Sequence, residues 1–199
     1  MLVFWKERLV FFAVPKTGTT ALEGAMSPKA SVILRDPPIL KHVPVYRFRR
    51  FVLPLLDKAG PVDDLETVAV VRDPIDWLSS WYRYRHRDDL ASHPNSTRGV
   101  TFEQFVQEYM KPKPARFANV GSQAKFLGDK KSIIGVTHLF KYEALDRARE
   151  FFEERLETTL NINTLNVSPQ MEPELSAATR RDFERECALE YEVWSQGIG

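Results

Sequence analysis

Apolar and polar positions fall along the chain in blocks whose lengths and periods differ. Leu9-Val-Phe-Phe-Ala-Val14 is an unbroken apolar run that ends at Pro15, and it predicts a buried strand. Thr19 to Met26 predicts a helix directly after it. Thr67-Val-Ala-Val-Val71, rich in β-branched residues, predicts a second buried strand that stops at Arg72-Asp73-Pro74. Pro74 suits the first turn of the next helix, where its missing N–H leaves no bond unmade, and that helix is expected to reach about Arg87. Asp88 to Gly99 is polar, with Pro and Gly, and reads as a loop. Thr101-Phe-Glu-Gln104 fits a capping box, which predicts a helix to about Met110, and Lys111 to Ala115 (KPKPA) breaks it. Gly135 to Phe140 predicts a short strand. Glu143 to Leu160 predicts a helix, because Leu145, Ala148, Phe152 and Leu156 recur at three or four residues. Pro173 to Trp194 predicts a last helix, with Leu175, Ala178, Phe183, Cys187 and Tyr191 on or near one face. Strands that alternate with helices predict a single α/β domain over 1–199, with a parallel sheet and helices on both faces.

Composition narrows the function classes. The chain has 199 residues, 43% hydrophobic and 28% charged, enough for one substantial core. A formal net charge of +1 provides no global basic field, so nucleic acid is not an expected partner. One cysteine, Cys187, excludes a disulfide framework and any zinc site of several thiolates. No window of about 18 apolar residues exists, so no membrane span is expected. The apolar run at Leu9 leads straight into a motif that a signal peptide would remove, so the chain reads as cytoplasmic, or as a catalytic domain without its anchor. Asn95-Ser96-Thr97 and Asn166-Val167-Ser168 match the glycosylation sequon, a triplet common enough by chance to carry little weight.

Two motifs carry the chemistry. Pro15-Lys-Thr-Gly-Thr-Thr20 follows the first strand. Gly18 permits a tight turn, the following N–H groups and helix N-terminus face an anion, and Lys16 and the threonine hydroxyls add charge and donors. It is not a Walker A motif, whose lysine follows the last glycine; here Lys16 precedes Gly18 by two residues. An ordinary strand-to-helix turn is the plain alternative. In Val71-Arg-Asp-Pro-Ile-Asp-Trp-Leu-Ser-Ser-Trp-Tyr82, Arg72 sits where a buried strand ends, the edge at which open α/β sheets bind ligands, and a guanidinium there can grip a phosphate with two bonds. Ser80 lies eight residues on. An Arg72 paired with Asp73 or Asp76 is the plain alternative.

Together the motifs resemble those of the PAPS-dependent sulfotransferase superfamily, which uses 3′-phosphoadenosine 5′-phosphosulfate. PKTGTTAL (Pro15 to Leu22) is similar to its 5′-phosphosulfate loop, and RDPIDWLSSWYRY (Arg72 to Tyr84) to its 3′-phosphate motif, with Arg72 and Ser80 at the family separation. Ser122-Gln-Ala-Lys-Phe-Leu127 and Phe140-Lys-Tyr-Glu-Ala-Leu145 are more weakly similar to members that act on carbohydrates. The resemblance implies a P-loop-type α/β fold. It implies PAPS as co-substrate, 3′,5′-ADP (PAP) as product and no metal. The acceptor would be a hydroxyl or an amine, with carbohydrates in view. Lys16, Thr17, Gly18, Thr19 and Thr20 would hold the 5′-phosphosulfate, Lys16 also acting on the transition state. Arg72 and Ser80 would hold the 3′-phosphate.

A base must take the acceptor proton, and histidine suits that near neutral pH. His42, in Lys41-His-Val-Pro44, is the only histidine between the motifs and matches a family pattern. A surface loop histidine is the plain alternative, His86 is the next candidate and Asp36 a carboxylate one. His93 and His138 read as structural. Arg47, Arg49 and Arg50, and Arg83, Arg85, His86 and Arg87 with Tyr82 and Tyr84, are either solvated faces or grips for an anionic or polyhydroxylated acceptor. Two rival functions stay open, a small-molecule kinase and a non-catalytic nucleotide- or glycan-binding module.

Overall fold

The computed structural model describes residues 1–128, 133–161 and 173–199; the second sequon, 166–168, lies outside them. Five strands form one sheet: β1 (Leu2–Phe4), β2 (Leu9–Phe12), β3 (Val32–Ile33), β4 (Glu66–Val71) and β5 (His138–Lys141), in the order β3-β1-β2-β4-β5. Around it lie α1 (Thr19–Met26), α2 (Pro38–Lys41), α3 (Val45–Arg47), α4 (Leu53–Asp57), α5 (Pro74–Arg85), α6 (Phe102–Tyr109), α7 (Gln123–Leu127), α8 (Leu145–Arg155), α9 (Ala177–Glu186) and α10 (Ala188–Ser195). A π-helical turn, Phe48–Val52, joins α3 to α4.

The expected all-parallel sheet is corrected to a mixed one. β2, β4 and β5 are parallel, whereas β1 runs antiparallel to both β2 and β3. The reason is the short polar turn between Phe4 and Leu9. Four residues can close a hairpin, but a parallel connection needs a crossover of a dozen or more. Arg8 takes a left-handed φ of 54° in that turn, and its guanidinium is held by Asp64.

The strand period of two sorts the core. Val3, Val10, Phe12, Ala69, Val71 and Leu139 face one side with Val45, Phe48, Leu56, Leu127 and Val193 of the helices. Leu2, Phe4, Leu9, Phe11, Val68, Val70 and Phe140 face the other, against Leu22, Met26, Ala148 and Phe152 of α1 and α8. Helices therefore cover both faces. A third apolar cluster lies between α5, α6 and α9, where Leu78, Phe105, Val106 and Phe183 are fully buried.

Local signals explain the helix starts. Asp73 caps α5 by accepting from the N–H groups of Ile75 and Asp76. Thr101 and Gln104 form the reciprocal capping box of α6. The expected single helix over 173–194 is corrected to two. Cys187, at φ −113° and ψ 30°, ends α9 and begins α10. No helix among the described residues is long and apolar enough to cross a membrane.

Candidate functional site: a cationic loop pair at the ends of two parallel strands

β2 and β4 pair side by side, Leu9 opposite Glu66 and Phe12 opposite Ala69. The loops that leave their carboxyl ends are therefore neighbours, and these are the two motifs read from the sequence. In the first loop the chain turns through two left-handed residues, Lys16 (φ 66°) and Gly18 (φ 71°). Glycine adopts that region freely; lysine does so only where its surroundings hold it. The surroundings are visible. The Thr17 and Thr19 hydroxyls donate to the Val14 carbonyl at 2.9 and 3.4 Å. Trp77 Nε1 donates to the Pro15 carbonyl at 2.8 Å, and the Arg72 guanidinium to the Lys16 carbonyl at 3.2 Å. The second motif thus clasps the first by its carbonyls.

The site residues take different places. Thr17 and Thr19 are buried, with their hydroxyl protons spent inside the loop. Gly18 and Thr20 are exposed at the start of α1, and the Thr20 hydroxyl accepts from Lys41 at 3.2 Å. Lys16 lies over the Tyr84 ring at 4.4 Å and the Trp81 ring at 5.9 Å. Its amine is pushed down to about 8 by burial first, then by the positive charges of Arg72, Arg83 and Arg87. Arg72 pairs with Asp76 at 2.5 Å and lies 4.2 Å from the Tyr142 ring centre. The plain alternative holds in that Arg72 is paired with Asp76, and its guanidinium also reaches the first loop. Ser80 is buried on α5, while its neighbour Ser79 accepts from Arg83 and borders a groove of about 340 Å³ with Asp73, Asp76 and Arg180.

His42 ends α2 beside the same strand edge. Its Nδ1 lies 2.7 Å from the Ala13 carbonyl. A carbonyl only accepts, so Nδ1 carries the proton and Nε2 keeps its lone pair. Burial lowers the His42 pKa below the ordinary value, opposed by the Ala13 bond. Burial thus favours the neutral form of His42, the form a base requires. Lys41 next to it pairs with Glu23 of α1 at 2.9 Å, which ties α2 to α1. His86 packs on Tyr82, with its Nδ1 buried and unpartnered among the described residues. Asp36 is exposed. His138 pairs with Glu66 in the sheet, and His93 accepts from the Asn95 N–H in a loop.

Arg85 leaves the acceptor-binding candidates. It is buried, and it donates to the carbonyls of Arg116, Phe117 and Asn119 at 2.8 to 3.0 Å. It therefore staples α5 to the segment that leads into α7. Arg49 donates to the Gly135 carbonyl.

Several residues of the site escaped the sequence reading. Gln123, fully buried, exchanges two hydrogen bonds of 2.9 Å with the backbone of Arg72. Glu143 accepts from the Asp73 N–H at 2.7 Å. Tyr142 packs against Gly18 as well as Arg72. All three lie in the weakly similar segments 122–127 and 140–145, so the signal was present but carried no role. No cluster of three or more metal-ligating His, Cys, Asp or Glu side chains occurs among the described residues. Comparison of the chain with family models, with curated proteins and with solved structures gave no match.

Proposed function

We propose that the chain is a sulfotransferase that moves a sulfuryl group from PAPS to a hydroxyl or amine acceptor, on a P-loop-type α/β core. The observation that carries the reading is the interlock of Arg72 with the Lys16 loop at the ends of adjacent parallel strands, with Arg83 and Arg87 close enough to depress the Lys16 amine. Cations held near one another in a partly buried site suit a ligand with two separate phosphates, and PAPS carries such a pair. Lys16 and the N–H groups at the start of α1 would hold the 5′-phosphosulfate. Arg72, in the loop between β4 and α5, with Ser80 on α5, would hold the 3′-phosphate.

The chemical step follows from these placements. The acceptor oxygen or nitrogen attacks sulfur, the bond from sulfur to the bridging phosphate oxygen breaks, and 3′,5′-ADP leaves. The acceptor proton passes to His42 Nε2, whose lone pair is kept available by the Nδ1 bond to Ala13. Lys16 offsets the charge that grows on the leaving oxygen.

The test is a calorimetric titration of the protein with 3′,5′-ADP, 5′-AMP and ATP plus magnesium, followed by an assay of PAPS turnover against a panel of acceptors. A clear preference for 3′,5′-ADP and release of it from PAPS are expected. Equal affinity for 3′,5′-ADP and 5′-AMP would refute the donor site. Preference for ATP with magnesium would favour a kinase, and PAP binding without turnover a binding module.

A further inference from the structure

The Arg72 backbone sits one residue beyond the end of β4, where the sheet ladder no longer holds it. The Arg72 N–H donates to Gln123 Oε1 at 2.9 Å, and Gln123 Nε2 donates to the Arg72 carbonyl at 2.9 Å. A side-chain amide thus supplies the acceptor and donor that a neighbouring strand would have supplied. Gln123 is 0% exposed, at the first position of α7. Its own placement is fixed from both sides. The Ser122 hydroxyl caps α7 by accepting from the Lys125 N–H, and the buried carboxylate of Glu190 on α10 accepts from Ser122 and from the Ala124 N–H. One residue further along, Glu143 accepts from the Asp73 N–H. The guanidinium of Arg72 reaches the first loop from a peptide held in this way, and it rests on Tyr142.

We propose that Gln123 is a positioning residue of the donor site: its two bonds to the Arg72 backbone aim the Arg72 guanidinium and thereby set selectivity for a 3′-phosphorylated nucleotide. The proposal rests on the sulfotransferase reading and deepens it. Gln123 touches no ligand in this scheme; it acts through Arg72. Oriented recognition of a phosphate by a guanidinium depends on placement within about 0.5 Å, which a rigid support supplies and a frayed strand end does not.

The experiment measures dissociation constants for 3′,5′-ADP and for 5′-AMP by calorimetry on the full chain, with thermal melts beside them. Gln123→Met keeps length and burial but removes both bonds. Gln123→Glu keeps an acceptor for the Arg72 N–H and sets a carboxylate against the Arg72 carbonyl. In both variants the preference for 3′,5′-ADP is expected to fall by about tenfold or more, with 5′-AMP affinity within about twofold of wild type. Adding Gln123→Met to Arg72→Ala should cause no further loss of preference, since the two act as one unit. Equal weakening of both nucleotides, an additive loss in the double variant, or failure of both single variants to fold would overturn the proposal, because Gln123 would then serve the fold alone. A wild-type protein without preference would instead refute the donor site itself, so the two failures are told apart.

Discussion

Replacing Gly18 by alanine tests the first loop most directly. Gly18 has φ +71°, and a Cβ built on it would lie 2.9 Å from Tyr142 Cε2, 3.4 Å from Tyr142 Cδ2 and 3.6 Å from Leu145 Cδ2. Two costs follow. An L-residue held in the left-handed region loses about 1–2 kcal/mol. Overpacking against a ring that is itself stacked on Arg72 adds about 1–3 kcal/mol. The combined loss is about 2–5 kcal/mol. In a chain of this length each kcal/mol moves Tm by about 2–4 °C, so Gly18→Ala is expected to melt about 4–20 °C lower. The assay is a thermal melt without ligand, run as a double-mutant cycle with Tyr142→Ala. Removing the ring leaves only the backbone cost, so the penalty of Gly18→Ala should fall to about 1–2 kcal/mol in that background. A Tm drop under about 2 °C in the single variant, or an unchanged penalty without Tyr142, would refute the packing argument.

Three further outcomes are expected. Because the folded Lys16 amine titrates near 8 and its unfolded counterpart near 10.5, the unfolded chain binds more protons between those values, so the Lys16 contribution to stability rises with pH across them. Lys16→Met should therefore be more stable than wild type at pH 7, with a gap that narrows toward pH 10 in denaturant melts; a gap independent of pH would refute the burial of that charge. His42→Ala should bind 3′,5′-ADP normally while PAPS turnover falls about a hundredfold or more. The wild-type rate should rise with pH through a midpoint below 6.5, since burial holds His42 below its ordinary value; a surviving limb in the variant would refute the base. Ser80→Ala should weaken 3′,5′-ADP binding more than Ser79→Ala does, because residues adjacent on a helix point about 100° apart and Ser79 is engaged with Arg83; the reverse order would move the phosphate to the Ser79 groove.

What the sequence revealed of the fold followed the strength of its local signals. The Thr101–Gln104 box and the Asp73-Pro74 start have a side-chain mechanism at a fixed spacing, and α6 and α5 begin where that mechanism places them. The central parallel pair β2-β4 was legible because buried parallel strands are continuous apolar runs. The antiparallel edge was not: β1 has three residues and β3 two, too few for a period to show. The break at Cys187 was hidden because Phe183, Cys187 and Tyr191 recur at four residues and carry the helical period straight across it. Past the break, Glu190 of α10 accepts from Ser122 across the fold. Lys16, Arg72 and His42 stood out as candidates because their charge or lone pair suggests chemistry. Gln123 was not, because an amide in an apolar segment has no role until its partner is known.

Helix α5 ties these observations together. Its first turn holds Asp76 against Arg72, and Trp77 next to it holds the Pro15 carbonyl. Farther along, the Tyr82 carbonyl accepts from the buried Thr97 hydroxyl, and Arg85 is stapled to the carbonyls of 116–119. Arg83 stands between these anchors, and Arg87 follows just past the helix. The fold therefore uses an ion pair and several hydrogen bonds to hold cations whose charges depress the Lys16 amine. If the site takes anions as proposed, their binding would raise stability, because the repulsion among the cations would be replaced by charge-assisted bonds. Rigid anchoring also means that little ordering remains to be done on binding, which favours affinity for a ligand whose phosphates match the fixed spacing over one whose phosphates do not. On the proposed donor reading, selectivity between nucleotides would reside less in the cations themselves than in the groups that hold them in place.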